Sequence, residues 1–270
     1  MARPTIAKRE GGRAQNEATR GSKRSRTCNA ARQGTDTCVY PKMDKTYYQI
    51  TANIERAANA KLPGRLIVGI AGPPGCGKST IAEQLVRNIN ASSTLKAQAV
   101  SLDGFHIRRS VLDSWPNREE AYVRRGAPWT FDVDAILKFV TALSQTAVLP
   151  AERRPQFLAP SFDHALKDPK DADVVISPET PIVILDGNYL LLDEEKWRDL
   201  SPCLDYKIMV TVDRDVTRER VAKRHVLAGI EPTLEKGFER FDRNDQINGD
   251  LIRTRMLPCD MLVESIPIVV

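Results

Sequence analysis

The chain is poor in the residues that build metal centres, disulfide frameworks and membrane spans. It has three histidines in 270 residues. They are His106, His164 and His225, too far apart to form the His-x₃-His pair of a metal site. Five cysteines (Cys28, Cys38, Cys76, Cys203 and Cys259) include no Cys-x-x-Cys pair. That argues against structural zinc and for a reducing compartment. No apolar run approaches the length of a bilayer span. The first residues lack the apolar stretch of a secretory signal. An Asn-Lys-x-Asp guanine-reading motif is missing as well, which weighs against a GTP-driven switch. No internal repeat is visible.

A general basic charge is also missing, despite a net charge of +5. Residues 1–42 hold ten Lys/Arg against three Asp/Glu, so they carry +7 and leave the remainder at −2. The body gives no reason to expect nucleic-acid binding. The first 42 residues lack apolar periodicity and read as a disordered basic extension. Three uses compete for it: a tail for an anionic surface, an organelle transit segment, or a dispensable piece ahead of a natural start at Met43. A cytoplasmic protein is the expectation, and a mitochondrial one if the extension is a transit segment. Residues 43–270 are long enough for one α/β domain with a sizeable core.

What is present is one complete phosphate-gripping loop. Gly72-Pro73-Pro74-Gly75-Cys76-Gly77-Lys78-Ser79 fits G-x-x-x-x-G-K-[ST]. Its glycines let the backbone N–H groups approach phosphate oxygens. Lys78 offers a point charge to the outer phosphates, and Ser79 offers a hydroxyl to Mg²⁺. Thr80 is taken with them as a nucleotide-binding candidate. The apolar run 65–71 precedes the loop and reads as a buried strand. Ile81, Leu85, Val86 and Ile89 follow on one helical face. The helix N-terminus then points its positive end at the anion. Cys76 in such a loop raises the prospect of an oxidation-sensitive thiol, though a tolerated small residue is the plainer reading.

Further along, a helix is predicted over 47–60 and strands over 98–102, 181–186 and 206–212. A helix is predicted from Asp132, with Ile136, Leu137, Val140 and Leu143 inward. Residues 105–131 are polar and aromatic, with no clear core face. Residues 150–180 read as irregular, with a hairpin as one option. A basic helix is expected over 214–228, stopping at Gly229. Another follows Pro232 and ends near Gly249. Residues 261–263 suit a last strand. Alternating strands and helices imply a mostly parallel sheet covered on both faces.

Two acids end strands. Asp186, in Leu185-Asp186-Gly187, is placed to support Mg²⁺. Asp103 ends a different strand, where it could orient an attacking hydroxyl and take its proton. The bland reading of both is an Asp-Gly turn. His106 and His164 suit hydrogen bonds to a substrate. Arg214, Arg218, Arg220, Lys223 and Arg224 crowd one helix. That run is either a solvated face with a Glu219–Lys223 pair or a lid (about 214–228) closing arginines on a phosphoryl group.

Several motifs in order carry a resemblance over about residues 65–250. They are the phosphate loop, Ser101-Leu102-Asp103-Gly104-Phe105-His106, then Arg124-Arg125-Gly126-Ala127-Pro128-Trp129-Thr130-Phe131-Asp132. Pro160-Ser161-Phe162-Asp163-His164 and Asp186-Gly187-Asn188-Tyr189-Leu190-Leu191-Leu192 follow. The chain resembles the uridine kinase / phosphoribulokinase / pantothenate kinase group of P-loop kinases. The stretch from Asp103 to Asp132 is similar to pantothenate kinase, and Gly-Asn-Tyr-Leu-Leu to uridine-kinase-like proteins. The resemblance implies a three-layer αβα P-loop NTPase fold, with ATP and Mg²⁺. It implies Asp103 as base and an arginine lid in which Arg220 or Arg224 neutralises charge beside Lys78. Acceptor contacts would come from 104–131 and 160–164, with His106, Arg125, Asp163 and His164 as candidates and Asn188 and Tyr189 beside them. Asp186 departs from the Glu of many relatives. The implied reaction is γ-phosphoryl transfer to a hydroxyl of a nucleoside, sugar or pantothenate-like metabolite. The rival is a regulatory ATPase with no small acceptor. A homodimer is one option for the assembly.

Overall fold

Apolar spacing along the chain decides most of the architecture. The computed structural model describes residues 41–92 and 94–266. The expectation of a disordered extension falls on residues 1–40, outside the described residues, while Pro41 and Lys42 already belong to the first helix.

That helix, α1 (Pro41–Lys61), starts with a proline, whose missing N–H costs nothing in a first turn. It buries Ile50, Ile54 and Ala58 on one face. β1 (Leu66–Ala71), α2 (Lys78–Ser92) and β2 (Ala97–Ser101) follow. The polar 105–131 region forms two short helices, α3 (Arg109–Leu112) and α4 (Arg118–Val123). α5 (Val133–Ala147) is capped by Asp132, whose side chain accepts from the Ala135 N–H. Residues 150–180 contain the hairpin, β3 (Phe157–Asp163) with β4 (Asp168–Ile176). β5 (Ile182–Asp186), β6 (Tyr206–Val212) and α6 (Arg214–Leu227) come next.

The last helical region departs from the sequence expectation. It runs as α7 (Leu234–Arg240), a π-helical turn over Phe241–Asp245 and α8 (Gln246–Thr254). Gly249 lies inside α8 instead of ending it. A Cβ there would sit 3.1 Å from Arg253 Nη1 and 3.4 Å from the Pro73 Cβ. The residue lies beside the phosphate loop, within the helix and not at its stop. β7 (Met261–Ser265) closes the order.

Five strands form one parallel sheet in the order β2-β5-β1-β6-β7. Alternate residues feed two cores. Ile67, Val183, Leu185 and Met209 pack with α5, Tyr189 and Trp197 on one face. Leu66, Val68, Ile70, Ile184 and Val210 pack with α1 and α2 on the other. β1 and β5 are buried at every residue, which is why their sequences are continuously apolar. The outcome is an α/β fold with helices on both sides of a parallel sheet. Its register aligns Ile70, Asp186 and Ser101 across β1, β5 and β2. The C-terminal ends of three strands therefore meet at one edge, where crevices open in such sheets.

Candidate functional site

The loop between β1 and α2 lies at that edge. Gly75 and Gly77 take positive φ angles of +77° and +92°, a region side chains rarely tolerate. Gly75 also has no room for one, because a Cβ would lie 2.5 Å from the Val221 Cγ2 of α6. Lys78 opens α2 and is largely buried. Its Nζ donates to the Pro73 carbonyl at 3.2 Å. The Cys76 side chain points into the core and is fully buried. An exposed, oxidation-sensitive thiol is thereby excluded at this position.

Asp186 sits beside the loop. The Ser79 hydroxyl donates to Asp186 Oδ1 at 2.9 Å, and Ser101 Oγ donates to the same oxygen at 3.3 Å. Burial, and then the nearby Asp103 carboxylate, push the Asp186 pKa up to about 6. Ser79, Ser101 and Lys78 pull the other way without cancelling this. Asp103 follows β2 in a tight 3₁₀ turn, Leu102–Phe105. Among the described residues, no hydrogen bond or ion pair engages its carboxylate. The donor set suits Mg²⁺: hard oxygens, a carboxylate destabilised by burial and a second acid, and no compensating cation bonded to it. Among the described residues no cluster of three or more His, Cys, Asp or Glu could hold a metal alone. A Mg²⁺ ion completed by phosphates and water needs only one or two protein ligands.

The acceptor candidates divide. His106 Nδ1 lies 2.8 Å from the Asp103 carbonyl. Its ring packs on Phe131 and Phe162, with centroids 3.9 and 5.0 Å away. Burial holds its pKa below the usual value, although Asp103 favours the charged form. His164 packs against Phe162 from the hairpin. Arg125 reaches the Lys167 carbonyl and Asp168, while its Nε and Nη1 have no partner. Burial lowers its pKa too. His106 thus sits beside Asp103, with Arg125 and His164 near its ring. Gly104 makes the approach feasible, since a Cβ there would come within 2.3 Å of the Pro160 carbonyl oxygen.

Asp163 and Tyr189 are placed otherwise. Asp163 Oδ1 accepts from the Ala165 and Leu166 N–H groups and so closes the β3–β4 turn. Tyr189 is 1% exposed, and its hydroxyl donates to the Gly126 carbonyl at 2.6 Å. The Tyr189 hydroxyl and Asp163 Oδ1 are thus engaged within the protein and help to hold the acceptor segments in place. Asn188 is half-buried, two residues past Asp186.

The helix expected to act as a lid packs on the phosphate loop in this structure. α6 is capped by Asp213 and buries Thr217, Val221, Ala222 and His225. Val221 and Thr217 lie directly on Gly75. Arg220 does not face the acids. Its Nη1 donates to Ser265 Oγ at 3.1 Å and its Nη2 to the Ile266 carbonyl at 2.6 Å. Arg218 forms a two-pronged pair with Asp242, both bonds at 2.7 Å, and covers the Phe238 ring. Arg224 is exposed. Sequence spacing found the cations of this helix but not its buried face, which carries few large apolar residues.

The model of the "Phosphoribulokinase / Uridine kinase family" matches residues 67–229, more than half of the chain. The chain belongs to this family. A Schizosaccharomyces pombe relative, provisionally named as a uridine kinase, is 38% identical over 75% of this chain and 84% of its own. The ATP-dependent kinase YFH7 of Lachancea thermotolerans is 35% identical over 73% of this chain and 65% of its own length. The crystal structure of YFH7 from Saccharomyces cerevisiae superimposes with a TM-score of 0.73 at 26% identity, over 81% of this chain and 98% of that one. Membership in the phosphoribulokinase/uridine kinase family makes the chain a P-loop kinase, an ATP-dependent phosphotransferase acting on an alcohol group.

Three residues of this family member escaped the sequence reading. Ser101 bridges the two acids, accepting from the Asp103 N–H at 3.4 Å while donating to Asp186. Its only sequence signal is its place two residues before Asp103. Arg124 donates to the Arg243 and Asn244 carbonyls and to Asn248 Oδ1, tying the acceptor segment to the π-helical turn and α8. Arg253 of α8 comes up beside Gly249 next to Pro73. Nothing in the local sequence separates these arginines from ordinary surface ones.

Proposed function

We propose that the chain transfers the γ-phosphoryl group of ATP to a hydroxyl of a small metabolite, of nucleoside, sugar or pantothenate-like type, with Asp103 as the base. The observation that carries this is the placement of Asp103. It lies on the strand-end edge near Asp186, its carboxylate unengaged, with His106 beside it and His164 and Arg125 near that ring.

The loop amides and Lys78 would bind the triphosphate, with Lys78 Nζ exchanging the Pro73 carbonyl for an outer phosphate. Ser79 and Asp186 are the residues that would hold Mg²⁺. When bound, the ion supplies charge neutralisation between the β- and γ-phosphates. Asp103 accepts a hydrogen bond from the acceptor hydroxyl, orients its oxygen towards the γ-phosphorus, and takes its proton as the P–O bond forms. His106, His164, Arg125 and Asn188 contact the rest of the acceptor. Ser101 fixes the spacing of the two acids. Arg224, exposed on α6 and lining with Arg220 the cleft over Gly75 and Gly77, is the helix cation left for charge in the transition state. The basic extension plays no part in this reading, and residues 43–270 make up the catalytic unit.

The test is a screen of nucleosides, sugars, sugar phosphates and pantothenate with ATP and Mg²⁺, scored by acceptor-dependent ADP release. With an acceptor found, Asp103→Asn should lower kcat by about 10²–10⁴-fold, the usual contribution of a positioned base. ATP binding should persist. Near-full activity of Asp103→Asn would refute the base assignment. ATP hydrolysis that no metabolite stimulates would favour a regulatory ATPase instead.

A further inference from the structure

Arg125 keeps a buried charge short of partners. Its side chain is 13% exposed. Nη2 donates to the Lys167 carbonyl at 3.3 Å and to Asp168 Oδ1 at 3.4 Å. That carboxylate oxygen already accepts from the Arg109 N–H at 2.9 Å. Nε and Nη1 are closed to solvent and bond to nothing among the described residues. A guanidinium carries five N–H donors, and burying them unpaired is unfavourable. Two shielded nitrogens in that state call for a missing partner, and the partner that suits a buried cation is an anion.

The surroundings hold this residue in place. The Arg125 carbonyl accepts from Asn244 Nδ2 at 3.1 Å. Next to it, the Gly126 N–H donates to Thr130 Oγ1 and the Gly126 carbonyl accepts from the Tyr189 hydroxyl. The backbone is thus fixed while the guanidinium lies over the Phe162 ring, 6.0 Å from its centroid. The His106 and His164 rings pack on the same phenyl ring, with centroids 5.0 and 5.3 Å away. Phe162 therefore gathers one arginine and two histidines. His106 in turn lies against the Asp103 carbonyl through Nδ1. Asp103 repels a second anion, so a reactive hydroxyl and a charged group must occupy different ends of the acceptor.

We propose that the acceptor is itself an anion, a small hydroxylated carboxylate or phosphate ester, whose charged group pairs with Arg125 while its hydroxyl meets Asp103. A neutral nucleoside or sugar leaves the two nitrogens unpaired and is discriminated against for that reason. The β3–β4 hairpin carries both Phe162 and Asp168, so it has to shift for the anion to reach Nε and Nη1. The proposal rests on Asp103 marking the acceptor site, and its test separates the two.

Matched acceptor pairs decide it on the full chain: glycerate and glycerol, pantothenate and pantothenol, ribose 5-phosphate and ribose, with uridine as a neutral nucleoside. With ATP and Mg²⁺, ADP release should follow a charged member, with kcat/KM about tenfold or more above its neutral counterpart. The pair that responds tells carboxylate from phosphate. For that acceptor, Arg125→Gln should raise KM about 10–100-fold, the worth of hydrogen bonds to a charged group, with kcat and ATP affinity held. Arg125→Lys, which keeps the charge, should recover part of the loss. Equal use of charged and neutral members, or an unchanged KM in Arg125→Gln, would overturn the proposal and leave Asp103 as the base. ADP release that none of these compounds stimulates would overturn the acceptor site and the anion with it.

Discussion

Asp186 sits in an environment at odds with its charge. Burial and Asp103 raise its pKa from 3.8 to about 6, so the folded protein holds that proton more tightly than the unfolded chain does. Ionising it costs stability from about pH 4 upward, and the cost is complete above pH 6. Asp186→Asn should therefore stabilise the nucleotide-free protein at pH 7.5 by about 1–3 kcal/mol. The gain should fade towards pH 4, where the wild-type carboxyl is protonated. Thermal melts at the two pH values check this. The same variant should lose most Mg²⁺-dependent turnover. A residue that destabilises the fold yet fits a cation is the signature of a site that trades stability for function.

Among the elements, the contact between the Asp103 turn and the β3–β4 hairpin decides whether the acceptor residues meet. Gly104 is the point of closest approach. Gly104→Ala would drive a Cβ onto the Pro160 carbonyl, 2.3 Å away, where a backbone atom has to move. The expected cost is about 1–3 kcal/mol in stability. Because the hairpin carries Phe162 and His164, acceptor KM should rise while ATP affinity holds. Denaturant melts and acceptor titrations measure the two effects. The α6–α7 contact offers a parallel case at Gly237, where a Cβ would meet the Ala222 carbonyl oxygen at 2.8 Å. Gly237→Ala should lower the melting temperature, since the anchored α6 face covers Gly75 of the loop.

Across the whole molecule, two cores share one sheet, so neither can unfold without exposing the other's strands. Residues 41–270 alone should melt in one cooperative step and keep the turnover of the full chain. Their near-neutral charge should leave no salt-dependent binding to DNA, which a mobility shift at low salt tests. Buried strands and amphipathic helices were legible in the sequence because local periodicity reports burial directly, as in 66–71, 182–186 and 133–147. Their bounds agree to within a residue or two. Gly249 was misread because a glycine inside a helix looks the same in the sequence as one that ends it. The bonds of Tyr189 to Gly126 and of Asp163 Oδ1 to its own turn were not legible, because a polar group in a motif says nothing of its partners within the protein.

The sequence alone determined the phosphate loop, the strands that flank it and the two acids at strand ends, because these depend on local spacing and backbone freedom. Only the tertiary structure decided which groups meet. Strand order β2-β5-β1 sets Ser101 beside Asp186. Packing of α6 on Gly75 turns Arg220 towards β7. The docking of α1 brings Met43 and Tyr47 to the loop. Each is a contact between segments distant in the chain, and periodicity within a segment carries no record of its neighbours.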